Sequence, residues 1–153
     1  MNLKDFSVNA VVTFFGSGYL RPMSATWGSF TSGLVLFSFW PFLDQPIKLG
    51  VILTTFILGV KLSDYVEQRD KVKDPKHIVI DEVVGMMIVT FFLDQVWLHW
   101  LIAFLLFRVF DVAKLWPASV YDQKRGGFAL MIDDVIMAIP ALFLVQIIIF
   151  TLL

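Results

Sequence analysis

Five carboxylic acids lie within apolar stretches of this sequence of 153 residues. They come from three separate segments, and isoleucine, valine or phenylalanine flanks each segment: Asp81, Glu82, Asp111, Asp133 and Asp134. Two carboxylates about 4 Å apart repel each other by roughly 4 kcal/mol at an effective dielectric constant near 20, so acids that converge need a compensating charge. Oxygen ligands favour hard divalent cations. If the three segments meet, these residue types predict a site for Mg²⁺, Mn²⁺ or Ca²⁺.

Two basic residues share a segment with one of these acids. Arg108, Asp111 and Lys114 follow one another at intervals of three residues, which places them on one broad face of a helix. Their two positive charges offset only part of the negative charge of the five acids. A bound cation accounts for the remainder.

Each acidic segment also has a simpler structural interpretation. The acid pairs at 81–82 and 133–134 suit the first turn of a helix, where the helix dipole favours negative charge. Arg108 and Asp111 suit an ordinary ion pair at i, i+3. Taken singly, these segments fit the structural interpretation about as well as the functional one. The functional interpretation therefore depends on all three lying on the same side of the fold.

The composition indicates which elements position these acids. Hydrophobic residues make up 58% of the chain and charged residues 16%, and the mean hydropathy is +0.80, which excludes an ordinary water-soluble globule and a disordered chain. The absence of cysteine excludes thiolate metal sites and cysteine nucleophiles. A net charge of −1 gives no basic surface for nucleic acid. With two histidines in the whole chain, chemistry that needs a histidine pair is nearly excluded.

The sequence predicts an all-α fold, an integral membrane helical bundle that forms a single domain over residues 1–153. Five spans are expected, at about 26–43, 47–68, 78–94, 96–115 and 133–152. The apolar part of residues 1–21 is too short to span and lacks a convincing signal-peptidase site, so we predict an interfacial or re-entrant segment there.

The basic residues predict the orientation of this bundle. With the N-terminus in the cytoplasm, eleven of the 12 lysines and arginines lie on the inner side, and only Lys48 lies outside. The same arrangement brings all three acidic segments to the cytoplasmic ends of their helices. We therefore expect a multi-pass protein whose acids converge at the cytoplasmic membrane surface.

Several segments resemble the phosphatidylglycerophosphatase A family of bacterial membrane phosphatases. The similar segments are DPKHIVIDEVVGM at 74–86, FRVFDVAKLWP at 107–117, GGF at 126–128 and MIDD at 131–134, with GSG at 16–18 and TWGS at 26–29 near the start. They follow the family's order from about residue 14 to about residue 140. Leu115 departs from the family, which usually has proline there, but the departure removes no candidate ligand.

This resemblance implies a single membrane-embedded phosphatase domain in the bacterial inner membrane. Its expected reaction is the Mg²⁺-dependent or Mn²⁺-dependent removal of the terminal phosphate from phosphatidylglycerophosphate, which yields phosphatidylglycerol and inorganic phosphate at the cytoplasmic face. The expected partners are this lipid and the surrounding membrane, with no nucleic acid; the sequence indicates no protein partner.

The resemblance also suggests residue roles. Asp81, Glu82, Asp111, Asp133 and Asp134 form the expected pool of metal ligands and general base. The expected phosphate-binding residues are Arg108, Lys114, Thr26 and Ser29. Asp74 either supports the metal ligands through hydrogen bonds or only forms the loop turn before Pro75. Attack by a metal-activated water is the favoured route, and a covalent aspartyl-phosphate stays open as its competitor.

A cation transporter or channel subunit with an acidic cytoplasmic vestibule is the alternative of a different class. A transport pathway needs ionisable residues through the depth of the membrane. In this sequence the outer halves of the predicted spans are nearly devoid of them, and the last span has none after Asp134. A purely structural subunit would leave the three acidic clusters unexplained.

Overall fold

The computed structural model describes residues 2–152, with the side chain of residue 122 left aside, and over this range the regular structure is entirely helical. Its α-helices are α1 (Leu3–Val12), α2 (Ser24–Phe39), α3 (Gln45–Asp70), α4 (Ile80–Val89), α5 (Trp97–Ala113), α6 (Ala118–Asp122) and α7 (Gly127–Leu152). Two single turns of 3₁₀-helix, Ser17–Tyr19 and Trp40–Phe42, flank α2. The all-α prediction is confirmed.

Two helices of the described chain are long and apolar enough to cross a membrane. Helices α3 and α7 have 26 residues each, which at 1.5 Å per residue gives about 39 Å against a hydrocarbon core of about 30 Å. Helix α7 begins at Gly127, six residues before the predicted span at 133–152, so its acids lie about two turns inside the helix rather than at its start.

The other three predicted spans correspond to shorter helices. Helix α2 has 16 residues and α5 has 17, close to the predicted bounds. The span predicted at 78–94 contains the ten-residue α4, about 15 Å long, so helical structure covers only part of the predicted span. The helix ends where the Thr90 hydroxyl donates to the Met86 carbonyl at 2.7 Å and the backbone turns away. Five spans and a cytoplasmic N-terminus stay predictions.

The N-terminal segment folds back against the start of α4. After α1 the chain reverses through Phe14, Phe15 and Gly16, all in the left-handed region with φ of 44°, 54° and 94°. The Val79 amide then donates to the Val12 carbonyl at 2.8 Å, which ties the end of α1 to the residue before α4. Helix α1 has ten residues and is too short to span, as the sequence predicted.

Helix α4 forms the centre of the bundle. Every residue of α4 except Ile88 is buried, and α2, α3, α5 and α7 pack around it. The approach of α5 requires a glycine, because a Cβ atom on Gly85 would lie 2.2 Å from the Phe107 ring. The first turn of α4, which carries Asp81 and Glu82, is consequently held inside the protein.

Lys48, the basic residue assigned to the outer side, is buried rather than exposed. Its Nζ donates to the Phe91 carbonyl at 2.9 Å, in the turn that follows α4. The ammonium also lies 5.7 Å and 5.8 Å from the ring centroids of Trp40 and Phe91. Helix α4 ends early, and the Phe91 carbonyl that follows it lies inside the bundle. Lys48 supplies the hydrogen-bond donor for that carbonyl.

Candidate active site

A cavity of about 300 Å³ opens at one end of the bundle, where α2, α4 and α7 begin and α3 and α5 end. All five acids singled out in the sequence line this cavity, and all five are buried: Asp81, Glu82, Asp111, Asp133 and Asp134. Three helices separated in sequence therefore bring their acids to one place, as the sequence predicted.

Three of the five acids face one another directly. One carboxylate oxygen from each of Asp81, Glu82 and Asp134 lies within 4.8 Å of the other two. Among residues 2–152, Asp81 Oδ1, Glu82 Oε2 and Asp134 Oδ2 are buried without a hydrogen-bond partner. Buried carboxylate oxygens left in this state are costly unless a cation or donor approaches them. An all-oxygen set of this kind fits Mg²⁺ or Mn²⁺.

The other two acids are bound to the basic residues of the cavity. Asp111 Oδ2 accepts from Arg108 Nη1 at 2.9 Å, and Asp133 Oδ2 accepts from Lys114 Nζ at 3.1 Å. Asp111 still adds negative charge beside Glu82 and Asp134. The five acids therefore fall into two groups. Three of them face one another, and the other two, Asp111 and Asp133, each form an ion pair with a basic side chain.

Arg108 connects the cavity to helix α2. Its Nη1 contacts both Asp111 and the Ser29 hydroxyl, the latter at 3.3 Å. Its Nε atom is buried and, within the part of the chain that the structure describes, has no hydrogen-bond partner. A guanidinium held on one side with a donor left over is suited to an incoming anion.

The remaining predicted residues occupy different positions around Arg108 and the acids. Thr26 lines the cavity, and its buried Oγ1 lacks a partner in the described chain. Ser29 is fully buried behind Arg108 and not part of the cavity lining, so it contacts the guanidinium instead of facing the open space. Asp74 lies at the exposed rim, where its backbone amide donates to Glu67 Oε1 at 2.8 Å.

Two acids of α3 that the sequence analysis did not select shape this end of the bundle. Glu67 lines the cavity and accepts from two loops, through Oε1 from the Asp74 amide and through Oε2 from the Gly126 amide at 3.0 Å. Asp64 Oδ1 accepts from the Gly127 amide at 2.6 Å, at the first residue of α7. Asp64 and Glu67 are three residues apart at the end of a predicted span, so both lie on one face of the helix. This spacing could have identified them from the sequence.

A basic rim surrounds the acidic floor. Lys73, Lys76 and Lys124 line the cavity together with Arg108 and Lys114. Converging positive charge at the opening attracts anionic ligands and raises their local concentration.

The nearby His77 lies outside this lining and stacks on Tyr19 with a centroid distance of 5.4 Å. Burial lowers the pKa of the His77 imidazole below its ordinary value of 6.5, and the Asp70 carboxylate opposes that shift. His77 therefore belongs to the packing of the loop before α4.

Known proteins that are similar to this chain carry the names of phosphatases. The family model described as phosphatidylglycerophosphatase A matches residues 10–149. A phosphatidylglycerophosphatase A of Haemophilus influenzae is 36% identical over 145 residues, which cover 90% of this chain and 86% of the relative. The Escherichia coli protein of the same name is 32% identical over 130 residues, which cover 82% of this chain and 73% of the relative.

A more distant relative comes from Bacteroides thetaiotaomicron and carries the provisional name phosphatidylinositol-3-phosphatase. It is 27% identical over 155 residues, and the match covers 96% of each chain. No solved structure matches the chain.

Proposed function

Since the chain belongs to the phosphatidylglycerophosphatase A family, we propose that it removes the terminal phosphate of phosphatidylglycerophosphate in a Mg²⁺-dependent reaction at the cytoplasmic membrane face. Water adds to the phosphorus atom, the bond from phosphorus to the glycerol oxygen breaks, and a proton passes to that oxygen. The products are phosphatidylglycerol and inorganic phosphate. The class of enzyme, a phosphatase, follows from the family itself.

The observation that carries the metal part of the proposal is the set of facing acids. Asp81, Glu82 and Asp134 present oxygens within 4.8 Å of one another, and an oxygen of each is buried without a partner in residues 2–152. These three side chains would hold the ion. When bound, Mg²⁺ would offset charge on the phosphate oxygens and acidify a water molecule.

The basic residues of the cavity bind the phosphate in this proposal. Arg108 offers its unpartnered Nε–H and the remaining donors of a planar guanidinium to two phosphate oxygens. Asp111 and Ser29 hold that guanidinium in place. Lys114, fixed by Asp133, adds a second positive charge, and Thr26 adds a hydroxyl. Phosphoryl transfer depends chiefly on such positioning and charge neutralisation.

We further propose that the protein is a multi-pass protein of the bacterial inner membrane, with the cavity and the N-terminus on the cytoplasmic side. The excess of lysine and arginine in the segments near the cavity supports this orientation. The chain has no cysteine, so single cysteines label cleanly. With a membrane-impermeant maleimide, Gln123→Cys should react only in inverted vesicles, and Asp44→Cys only in intact spheroplasts.

Water attack and an aspartyl-phosphate intermediate make different predictions. Direct attack needs a carboxylate of the pool to accept a proton from the water, and no phosphate becomes attached to the protein. Acid quenching during turnover of labelled substrate should therefore recover no phosphoprotein. Recovery of a labelled aspartate would replace the water route by the covalent one.

The central test is phosphate release from phosphatidylglycerophosphate by the purified protein in detergent. EDTA should abolish release and added Mg²⁺ should restore it. Asp134→Asn should lower kcat/KM by about a thousandfold or more, and it should also weaken Mn²⁺ binding measured by paramagnetic resonance without substrate. Asp44→Asn is the matched control, because Asp44 is exposed at the opposite end of the bundle and should change neither quantity.

Three outcomes would contradict the proposal. Phosphate release that resists EDTA would show that the reaction needs no metal ion. Equal Mn²⁺ binding by wild type and Asp134→Asn would show that the assigned acids do not hold the ion. Failure to release phosphate, together with cation flux in liposomes, would favour the transporter.

A further inference from the structure

An apolar groove runs between α2 and α5 on the outer surface of the bundle. Its volume is about 110 Å³, and its lining is almost entirely apolar, with Phe30, Gly33, Leu34, Met86, Leu101 and Phe104 along it. Phe30, Leu34 and Leu101 are exposed, so the groove is open to the surroundings along its length. At the end away from the cavity, the stacked rings of Phe37 and Trp97, 3.8 Å apart, close the space between the two helices.

The groove begins at the residue that holds the arginine of the cavity. Ser29 lines the groove, and its hydroxyl accepts from Arg108 Nη1 at 3.3 Å, while Arg108 itself lines the cavity. Helix α2 leaves the cavity at Ser24 and passes Gly33 one turn beyond Ser29. Helix α5 runs in the opposite sense and reaches the cavity at Arg108. A charged compartment and an apolar one therefore share a wall.

A ligand that fills both compartments has an anionic headgroup and an unbranched apolar tail. We propose that this groove binds an acyl chain of the lipid phosphate whose headgroup occupies the cavity, a proposal that rests on the function proposed above. The cationic wall at Arg108 and the apolar wall beyond Ser29 match the two parts of such a molecule in order. The occupant is thus the substrate's own chain rather than a second protein.

The groove acts mainly by orienting the substrate. A lipid tail in a bilayer already lies in an apolar medium, so burial in a groove adds little hydrophobic free energy, and packing contacts provide the gain. A chain fixed between α2 and α5 restricts the positions that the phosphate can take beside Arg108. Restricted geometry of this kind lowers the barrier to reaction.

Gly33 offers a way to fill the groove without touching the cavity. A Cβ atom on Gly33 would meet only the flexible end of Met86, at 3.1 Å from its Cε atom. Gly33→Leu should lower kcat/KM for dioleoyl phosphatidylglycerophosphate about tenfold relative to the dihexanoyl form, whose short chains need little of the groove. Gly50→Leu is the matched control, since Gly50 lies in α3 with open space around its Cα, and it should leave that ratio unchanged.

A second measurement does not depend on turnover. A non-hydrolysable phosphonate analogue with a photoreactive diazirine in one acyl chain should form adducts on Leu34 and Leu101 in the wild type and lose them in Gly33→Leu. If Gly33→Leu does not fold, as judged by its thermal unfolding, Leu101→Trp fills the groove from α5 and repeats both tests.

The proposal is overturned if Gly33→Leu leaves the ratio of long-chain to short-chain kcat/KM unchanged, or if the adducts lie on other helices. Equal loss of activity on both substrates also overturns it, because the change then acts on the headgroup site. Absence of wild-type phosphate release from either lipid refutes the proposed function instead. The location of the adducts then still shows whether the groove binds an acyl chain.

Discussion

The two ends of the bundle both bury charged side chains, but they satisfy these charges differently, while the neutral Trp40 indole nitrogen at the end away from the cavity also lacks a partner among the described residues. At the end away from the cavity, Lys48 donates to the Phe91 carbonyl and the Trp100 indole donates to the Asp94 carbonyl at 2.7 Å. At the cavity, oxygens of Asp81, Glu82 and Asp134 are buried with no partner among the described residues.

In the proposed function, this difference separates charged groups that maintain the fold from charged groups that bind a ligand. A buried donor that meets a backbone carbonyl completes the hydrogen bonding of a helix end, and its loss lowers stability. A buried acid cluster without donors does the opposite, because its repulsion persists until a proton or a cation neutralises part of the charge, and in the proposed function that cation is Mg²⁺. The predictions below contrast the two ends, starting with the largest expected effect.

Arg108 should matter for catalysis far more than an arginine that only forms ion pairs. Arg108→Lys keeps the charge but loses the planar pair of donors, and we expect kcat/KM for the lipid phosphate to fall about a hundredfold. Arg69→Lys is the control, because Arg69 pairs with Asp70 at 2.7 Å outside the cavity lining. Equal kcat/KM values for the two variants in the detergent assay would refute the phosphate-binding role.

Glu67 should have a smaller effect through the loops that it joins. The two carboxylate oxygens of Glu67 accept from the Asp74 and Gly126 amides. Glu67→Gln replaces one of these oxygens by an NH₂ group, which is a donor and repels the amide donor. We expect kcat to fall about tenfold and the Mg²⁺ concentration for half-maximal activity to rise. The exposed neighbour Gln68 supplies the control, and Gln68→Ala should behave as wild type. If the Mg²⁺ concentration for half-maximal activity is unchanged in Glu67→Gln, Glu67 contributes to the stability of the fold and not to metal binding.

Lys48 should affect stability and leave catalysis intact. Lys48→Met removes the donor to the Phe91 carbonyl, and we expect the free energy of unfolding to fall by roughly 1–3 kcal/mol. The kcat per folded molecule should not change. Denaturant unfolding in detergent and the phosphate-release assay measure the two quantities. A large loss of kcat with normal stability would break the contrast between the two ends.

His77 should produce the smallest effect, a pH dependence of stability. Its pKa is lowered in the folded state, chiefly by burial and against the opposing effect of Asp70, so the unfolded chain binds the proton more readily. The free energy of unfolding therefore carries no penalty from His77 above pH 6.5. It declines as the pH falls from 6.5 toward the folded-state pKa of His77, because the unfolded chain takes up the proton first. His77→Phe should flatten thermal unfolding midpoints over this window. An unchanged slope would assign the pH dependence to other groups.

The sequence predicted much of the fold because hydrophobic stretches and charge placement are local signals. The helical class, the short N-terminal segment and the convergence of the acids at 81–82, 111 and 133–134 all followed from such signals. The roles assigned to individual site residues stay predictions until variants are measured.

The remaining features depend on contacts between distant residues. Where α4 ends at Val89, the Thr90 hydroxyl donates to the Met86 carbonyl, and Lys48 of α3 donates to the Phe91 carbonyl. The pairing of Asp111 with Arg108 was visible as i, i+3 spacing, but that of Asp133 with Lys114 joins two helices. Glu67 was missed because its partners are backbone amides in two loops, one seven residues away at Asp74 and the other 59 residues away at Gly126.

The enclosure of α4 has a consequence for how the protein tolerates different bilayers. In the proposed membrane location, a bilayer that becomes thicker or thinner would act chiefly on the long helices α3 and α7, which can adjust their tilt. Helix α4 is surrounded by protein on all sides, so that adjustment need not reach the spacing of Asp81 and Glu82. Asp134 lies on α7 itself, so a change in lipid chain length that tilts this helix would alter the distance from Asp134 to Asp81 and Glu82, and catalysis would respond to bilayer thickness.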